Sequence, residues 1–172
     1  MTKIPHFLIP HFRTNHAGET GAVYIYKGIL LFTKDKEIIN FSQKHLETET
    51  SHLQLIEEIL SRKDQSKLIF LWKIFGFLTG FIPSLLGKKF IYATIFAVES
   101  FVEIHYEEQI QLILRKKKYS NLKNLIQKLK NDEIGHKNDA LNKLENFSFL
   151  HVLWKKIVTN GSMIAVKVSK II

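Results

Sequence analysis

The sequence predicts an all-α protein built on a four-helix bundle. Three observations carry that expectation. Only three prolines, Pro5, Pro10 and Pro83, interrupt the chain, so long stretches are free of helix breakers. Apolar residues recur at helical spacing, and no strand-like alternation is sustained. The third is a repeated word: Glu49-Thr-Ser-His52 and Glu133-Ile-Gly-His136 each place a carboxylate and an imidazole on one helix face.

The elements follow in order. Asn15 to Leu31 has a small-residue face (Ala17, Gly18, Gly21, Ala22) suited to close approach by a neighbouring helix. The polar break Thr33–Lys36 comes next, then a helix from Glu37 to Leu60 with Ile38, Phe41, His45, Glu49, His52 and Ile56 along one stripe. Lys67 to Gly87 contains the most apolar run, Leu68–Leu86, with Lys73 its single charge. A further helix spans about Lys89 to Leu114. A break at Lys116–Ser120 separates it from Asn121–Lys143, whose stripe is Leu122, Ile126, Leu129, Glu133, His136 and Ala140. An amphipathic C-terminal stretch runs from Phe149 to Ile172, with an interruption expected near Asn160-Gly161.

The 172 residues are enough for one domain with a substantial core, taken as residues 1–172. Hydrophobic residues make up 45%, which excludes a disordered chain. The absence of cysteine excludes disulfides, thiolate-bound zinc and iron–sulfur clusters, so a metal here must use His and carboxylate ligands. Met1–Pro10 lacks the charged start and long apolar run of a secretory signal, so a cytoplasmic-side protein is expected. The net charge of +9 has one tight basic run, Arg115–Lys118, and no nucleic-acid motif accompanies it, so no nucleic-acid partner is expected.

Spacing turns the repeated word into a geometric expectation. Glu19 and Glu49 lie symmetrically about residue 34, inside the first polar break; Glu99 and Glu133 lie about residue 116, at the second. Residues equidistant from an antiparallel turn share a height, here roughly 22–26 Å from it at about 1.5 Å per residue. Each half therefore brings a lone Glu level with its Glu-x-x-His. By chance roughly 0.6 Glu-x-x-His words are expected in this composition, so two alone are weak evidence; two with matched turns and matched upstream glutamates are not. Four carboxylates and two imidazoles, Glu19, Glu49, His52, Glu99, Glu133 and His136, match a di-iron or di-manganese site inside a bundle. Hard oxygen donors with imidazole favour iron or manganese over copper. Glu47, Glu57, Glu58, Glu107 and Glu108 are read as solvated surface residues.

Further words resemble a known family. His16-Ala-Gly-Glu19-Thr-Gly-Ala22 with Ile25-Tyr26 is similar to the opening motif of the demethoxyubiquinone hydroxylases, membrane-associated di-iron monooxygenases of ubiquinone biosynthesis. Leu71-Trp72, Gly76-Phe77 and Leu85-Leu86-Gly87-Lys88 resemble its central apolar segment. Ala97-Val98-Glu99 with His105-Tyr106 and Gln109 resembles its third ligand helix, and Asp132-Glu133-Ile-Gly-His136 its fourth. The resemblance implies a ferritin-like four-helix bundle with a di-iron centre. It implies that the six residues above are iron ligands, with Glu49 and Glu133 bridging, and that His105 and Tyr106 sit nearby in electron delivery. Tyr26 and Tyr106 each follow a lone Glu by seven residues, so both are expected either to face the metal or to pack with a satisfied hydroxyl. The family often has a second carboxylate where this chain has Ser100; Glu103, one turn beyond Glu99, offers either a nearby acid or a surface group.

Leu68–Leu86 is long enough to cross a bilayer, yet one crossing would strand the two halves of the site on opposite sides. The segment is therefore expected to dip in and return, to lie along the surface, or to pack on the bundle. Gly76, Gly80 and Pro83 suit a broken, re-entrant or interfacial element, and Lys67, Lys73, Lys88 and Lys89 suit anionic headgroups.

The expected activity is O2-dependent ring hydroxylation of a polyprenyl demethoxy-benzoquinone lipid, with two iron ions as cofactor and electrons from NADH or a reductase. No Gly-x-Gly-x-x-Gly is present. Expected partners are the lipid, O2, the membrane surface and a lipid-presenting or other ubiquinone-biosynthesis protein. The expected location is peripheral, on the cytoplasmic face of a bacterial inner membrane or the matrix face in a mitochondrion. A ferritin-like iron-storage or peroxide-detoxifying protein, a di-manganese catalase, and a non-enzymatic membrane-binding helical protein are the alternatives.

Overall fold

A computed structural model describes residues 4–144 and 148–172; residues 1–3, part of the stretch read for a signal, and 145–147 lie outside it. The described residues form six long helices and two short 3-10 turns, with no strand among them. In order they are a turn His6–Leu8, α1 (Ile9–Phe32), α2 (Lys36–Ile59), a turn Arg62–Asp64, α3 (Ile69–Leu86), α4 (Lys88–Arg115), α5 (Ser120–Leu141) and α6 (Phe149–Ser169).

The boundaries have local causes. Pro10 sits in the first turn of α1, where its missing N–H costs nothing. Asp35 caps α2 by accepting from the N–H of Glu37 at 2.8 Å and of Ile38 at 3.3 Å. Gly87 alone joins α3 to α4, at φ +104°, a backbone state that suits glycine. The α4–α5 turn carries two non-glycine residues at positive φ, Lys117 and Tyr119.

The helices stack in three layers. α1 packs against α2, and α4 against α5, forming the two hairpins expected from the polar breaks; α2 and α5 also touch. On the opposite side of α1 and α4 lie α3, packed mainly on α1, and α6, packed on both. Arg13 fastens this arrangement: its guanidinium donates to the carbonyls of Asp64 at 2.9 Å and of Lys170 and Ile171 at 3.3 Å. The Lys67 N–H donates to the Ile172 carbonyl at 3.0 Å.

Two sequence expectations are decided here. Of the alternatives for α3, packing on the bundle is the one found: it is one continuous helix against α1, not a broken or re-entrant element. Its glycines serve the seam with α1 instead. A Cβ at Gly76 would fall 2.3 Å from the Gly21 carbonyl oxygen, one at Gly80 1.9 Å from that of Ile25, and one at Gly28 2.2 Å from that of Phe77. The predicted close approach is thus real, but it is made to the backbone of Gly21 and Ile25 and at Gly28; a Cβ at Gly18 or at Gly21 itself would meet nothing within 4 Å. Secondly, α6 runs through Asn160-Gly161 without interruption. An exposed glycine costs a helix only about 1 kcal/mol, too little to break one that packs on α1 and α4.

The core is divided. One apolar cluster holds Phe12, Ile56, Tyr106, Ile110, Ile126 and Leu129; the other holds Ile25, Ile29, Ile38, Tyr92, Ile95 and Ala140. Each bundle helix runs from one cluster to the other, and the buried acids and imidazoles occupy the zone between.

Candidate metal centre

α1 contributes Glu19, α2 Glu49 and His52, α4 Glu99, and α5 Glu133 and His136 to that zone, and each is at most 5% exposed. The structure brings all six sequence-predicted residues together as two overlapping groups. Glu19, Glu49, His52 and Glu133 present ligand atoms within 4.8 Å of one another, as do Glu49, Glu99, Glu133 and His136. Glu49 and Glu133 belong to both. Their oxygens divide accordingly: Glu133 turns Oε1 to His52 Nδ1 at 3.0 Å and Oε2 to His136 Nδ1 at 3.1 Å. Glu49 turns Oε2 to His52 Nδ1 at 3.9 Å and Oε1 to His136 Nδ1 at 2.9 Å. Glu19 and Glu99 sit one on each side, and Glu19 Oε2 is 3.7 Å from His52 Nδ1.

The donor set fits cations better than it fits itself. Glu49 Oε1, Glu133 Oε2 and His136 Nδ1 are buried and lie at contact distance, yet none makes a hydrogen bond. Buried polar atoms are rarely left so. Without a metal, protons must take the cation's part. Burial, then the Glu133 charge, raises Glu49 and Glu99 well above the usual carboxyl range. Burial alone would lower the imidazoles, but contacts with Glu133 and its neighbours outweigh it, pushing His52 up to about 12 and His136 to about 9. Burial would likewise raise Glu133, but the two imidazoles pull it down to about 2. Two divalent ions would replace these protons and leave four carboxylates neutralised.

Hydrogen bonds orient the ligands. Tyr106 donates to Glu19 Oε1, leaving Oε2 turned inward. Asp132 Oδ2 lies 3.1 Å from His52 Nε2, which directs Nδ1 at the carboxylates. One helical turn before Glu19, Asn15 and Gln109 form a reciprocal buried amide pair at 2.8 and 2.9 Å that ties α1 to α4. Tyr26 is fully buried with its hydroxyl unpartnered, and burial followed by Glu99 raises its pKa well above the ordinary value.

Comparison with known proteins gives this geometry a lineage. Residues 7–169 match the family model of ubiquinone biosynthesis protein COQ7. The chain belongs to the COQ7 family. It is 30% identical over 162 residues to the mitochondrial NADPH-dependent 3-demethoxyubiquinone 3-hydroxylase of Homo sapiens, covering 92% of this chain and 75% of that protein. The similarly named Dictyostelium discoideum protein is 30% identical over 162 residues, 91% of this chain and 74% of that one. The 3-demethoxyubiquinol 3-hydroxylase of Rhodospirillum rubrum is 33% identical over 109 residues, 61% of this chain and 51% of its own length.

Other sequence-flagged residues of this COQ7-family chain fall in less expected places. His105 lies outside both ligand groups. Its Nε2 is 2.8 Å from the Thr14 hydroxyl, and its ring stacks near His11 and Phe101. Because Thr14 Oγ1 donates to the His11 carbonyl at 2.6 Å, His105 must carry its proton on Nε2. Burial, then Lys170 and His11, holds its pKa down to about 3, so the ring is neutral. Helical phase explains the displacement: six residues past Glu99 is about 120° off its face, whereas Tyr106, at seven, returns to it. Ser100 donates to the Phe96 carbonyl and Glu103 pairs with Lys137, so Glu103 is a surface ion pair rather than an added acid at the site. His45 and Asp139 carried no sequence signal of a role beyond His45's place on the α2 stripe.

Proposed function

We propose that this protein is a di-iron monooxygenase that hydroxylates the ring of a polyprenyl demethoxy-benzoquinone lipid in ubiquinone biosynthesis, within one domain formed by all six helices. The observation that carries this reading is the sharing of Glu49 and Glu133 between two buried four-residue groups, in a chain of the COQ7 family. Glu19 and His52 would hold one ion, Glu99 and His136 the other, and Glu49 and Glu133 would bridge them. When bound, two iron ions supply the activation of O2. The chain's own residues supply the rest. Each ion would be held by four of these residues, two of them shared. The apolar clusters above and below exclude water. Tyr106 fixes Glu19, and Asp132 fixes His52.

The lipid and the membrane enter through the outer layer. α3 is long and apolar enough to cross a membrane, but it packs along the outside of α1, and only 22% of it is buried. It exposes Phe70, Phe75, Leu78 and Leu85, while α6 exposes Phe149, Leu150, Leu153 and Ile164. This reading seats both faces at the bilayer surface, with the isoprenoid tail along α3 and the lysines Lys67, Lys73, Lys88 and Lys89 at the headgroups. A soluble iron-storage cage subunit has no use for such a face. Several relatives are named as NADPH-dependent, which favours a nicotinamide nucleotide as electron source over a dedicated reductase.

Cells lacking this protein are expected to accumulate the demethoxy intermediate and to lose ubiquinone. Wild-type chain should restore it and the Glu133→Ala chain should not. No accumulation of the intermediate would refute the hydroxylase assignment.

A further inference from the structure

The two halves of the site repeat in their ligands but differ in what stands behind the imidazoles. His52 turns Nε2 to Asp132 Oδ2 at 3.1 Å, a direct carboxylate contact that fixes the ring and sharpens Nδ1 as a donor to metal. His136 has no counterpart. Its Nδ1 faces Glu49 and Glu133, and among the described residues no carboxylate stands behind its ring as Asp132 stands behind that of His52.

What meets His136 instead is another imidazole. His45, one turn before Glu49 on α2, packs edge-on against it, with centroids 4.1 Å apart and planes 70° apart. His45 is 1% exposed, and neither of its ring nitrogens makes a hydrogen bond. Its position comes from Phe41, Asp139 and Tyr26, whose ring lies 5.8 Å away. Phe41 meets the His45 ring at 4.5 Å, and Asp139 Oδ2 stands 3.4 Å from Nε2. Asp139 is itself held by Lys44 at 2.8 Å. A buried imidazole with two idle nitrogens is costly to keep, and an aliphatic side chain would fill the space more cheaply.

We propose that His45, steadied by Asp139 and Phe41, is the positioning residue for His136, and that the two metal positions are consequently unequal. The Glu19/His52 position is braced by a carboxylate and binds more tightly. The Glu99/His136 position is braced only by a ring edge and binds more weakly. This inference rests on the two-ion reading of the site and assigns an order of filling to it.

Anaerobic cobalt(II) titration of the full-length, chelator-stripped protein in detergent, followed by ligand-field absorption and calorimetry, tests it without turnover. The wild type should bind two equivalents in two steps at least about tenfold apart, the usual scale for loss of an outer-sphere contact. Asp132→Ala should weaken the first step and leave the second. His45→Ala should weaken the second by about tenfold and leave the first, and His45→Phe, which keeps the ring edge, should recover most of that loss. Helicity by circular dichroism identifies any variant that fails to fold, and the wild-type titration stands without the variants. Two equal wild-type steps, or a His45→Ala effect spread evenly over both, would overturn the unequal positions while leaving the di-metal reading intact. No cobalt binding at all would overturn both.

Discussion

Gly80→Ala isolates the seam that holds the apolar helix on the bundle. The new Cβ would fall 1.9 Å from the Ile25 carbonyl oxygen and 2.7 Å from its carbon. Real contacts of this kind stay beyond 3.0 Å, so α1 and α3 must separate by about 1 Å or more. The obstructing atoms are backbone, so no side chain can turn aside, and the matching approaches at Gly28 and Gly76 lie on the same seam. Alanine adds about 1 kcal/mol of helix propensity, and overpacking costs about 1–3 kcal/mol or more. With helix backbone on both sides of the contact, the overpacking sits at the top of that range or beyond. The expected net loss is about 2–3 kcal/mol, which for a chain of this size lowers Tm by about 5–10 °C. Gly161→Ala is the control: its Cβ meets nothing within 4 Å, so only the propensity gain remains and Tm should rise by about 2–4 °C. Melts followed by circular dichroism in one detergent at one scan rate compare the two. A Gly80→Ala protein as stable as wild type would refute the close α1–α3 approach.

Three further outcomes are expected. Between pH 6.5 and 9 the metal-free protein should lose stability, because His136, raised to about 9, contributes fully below 6.5 and loses its contribution as pH passes its folded value. The loss is about 3 kcal/mol from this group, His52, raised to about 12, acts in the same sense over this window, and metal-loaded protein melted in parallel should not follow. Asn15→Leu leaves the Gln109 amide buried without its partner and should cost about 1–3 kcal/mol, much of it regained in the Asn15→Leu/Gln109→Leu double variant; equal losses in both would deny the pairing. Phe75→Glu on the exposed face of α3 should lower co-sedimentation with anionic vesicles by about tenfold or more with metal content unchanged, and undiminished binding would remove α3 from the membrane contact.

Much of the site was legible because two independent constraints write it into the chain. Metal chemistry limits the ligand types, and antiparallel helices place ligands symmetrically about their turns, as Glu19 and Glu49 lie about residue 34. Bridging by Glu49 and Glu133 is an implication of the family resemblance alone; no spacing in the chain distinguishes a bridging carboxylate from a terminal one. The rest depends on three-dimensional partners. Gly76 and Gly80 look like helix breakers until α1 is placed against them, and Gly161 looks like an interruption until packing outweighs its small cost. His105 beside Tyr106 in sequence points elsewhere because adjacent helical residues diverge by about 100°. His45 on an apolar stripe is indistinguishable from a core histidine until His136 is seen against its ring.

The six residues are proposed to hold a pair of bridged metal ions. Anaerobic loading with iron(II), followed by iron analysis and Mössbauer spectroscopy after oxidation, tests this proposal most directly. Two iron atoms per chain in an exchange-coupled pair are expected, with coupling lost in Glu49→Ala and Glu133→Ala. One iron or none in the wild-type chain, or two uncoupled irons unaffected by those substitutions, would contradict it.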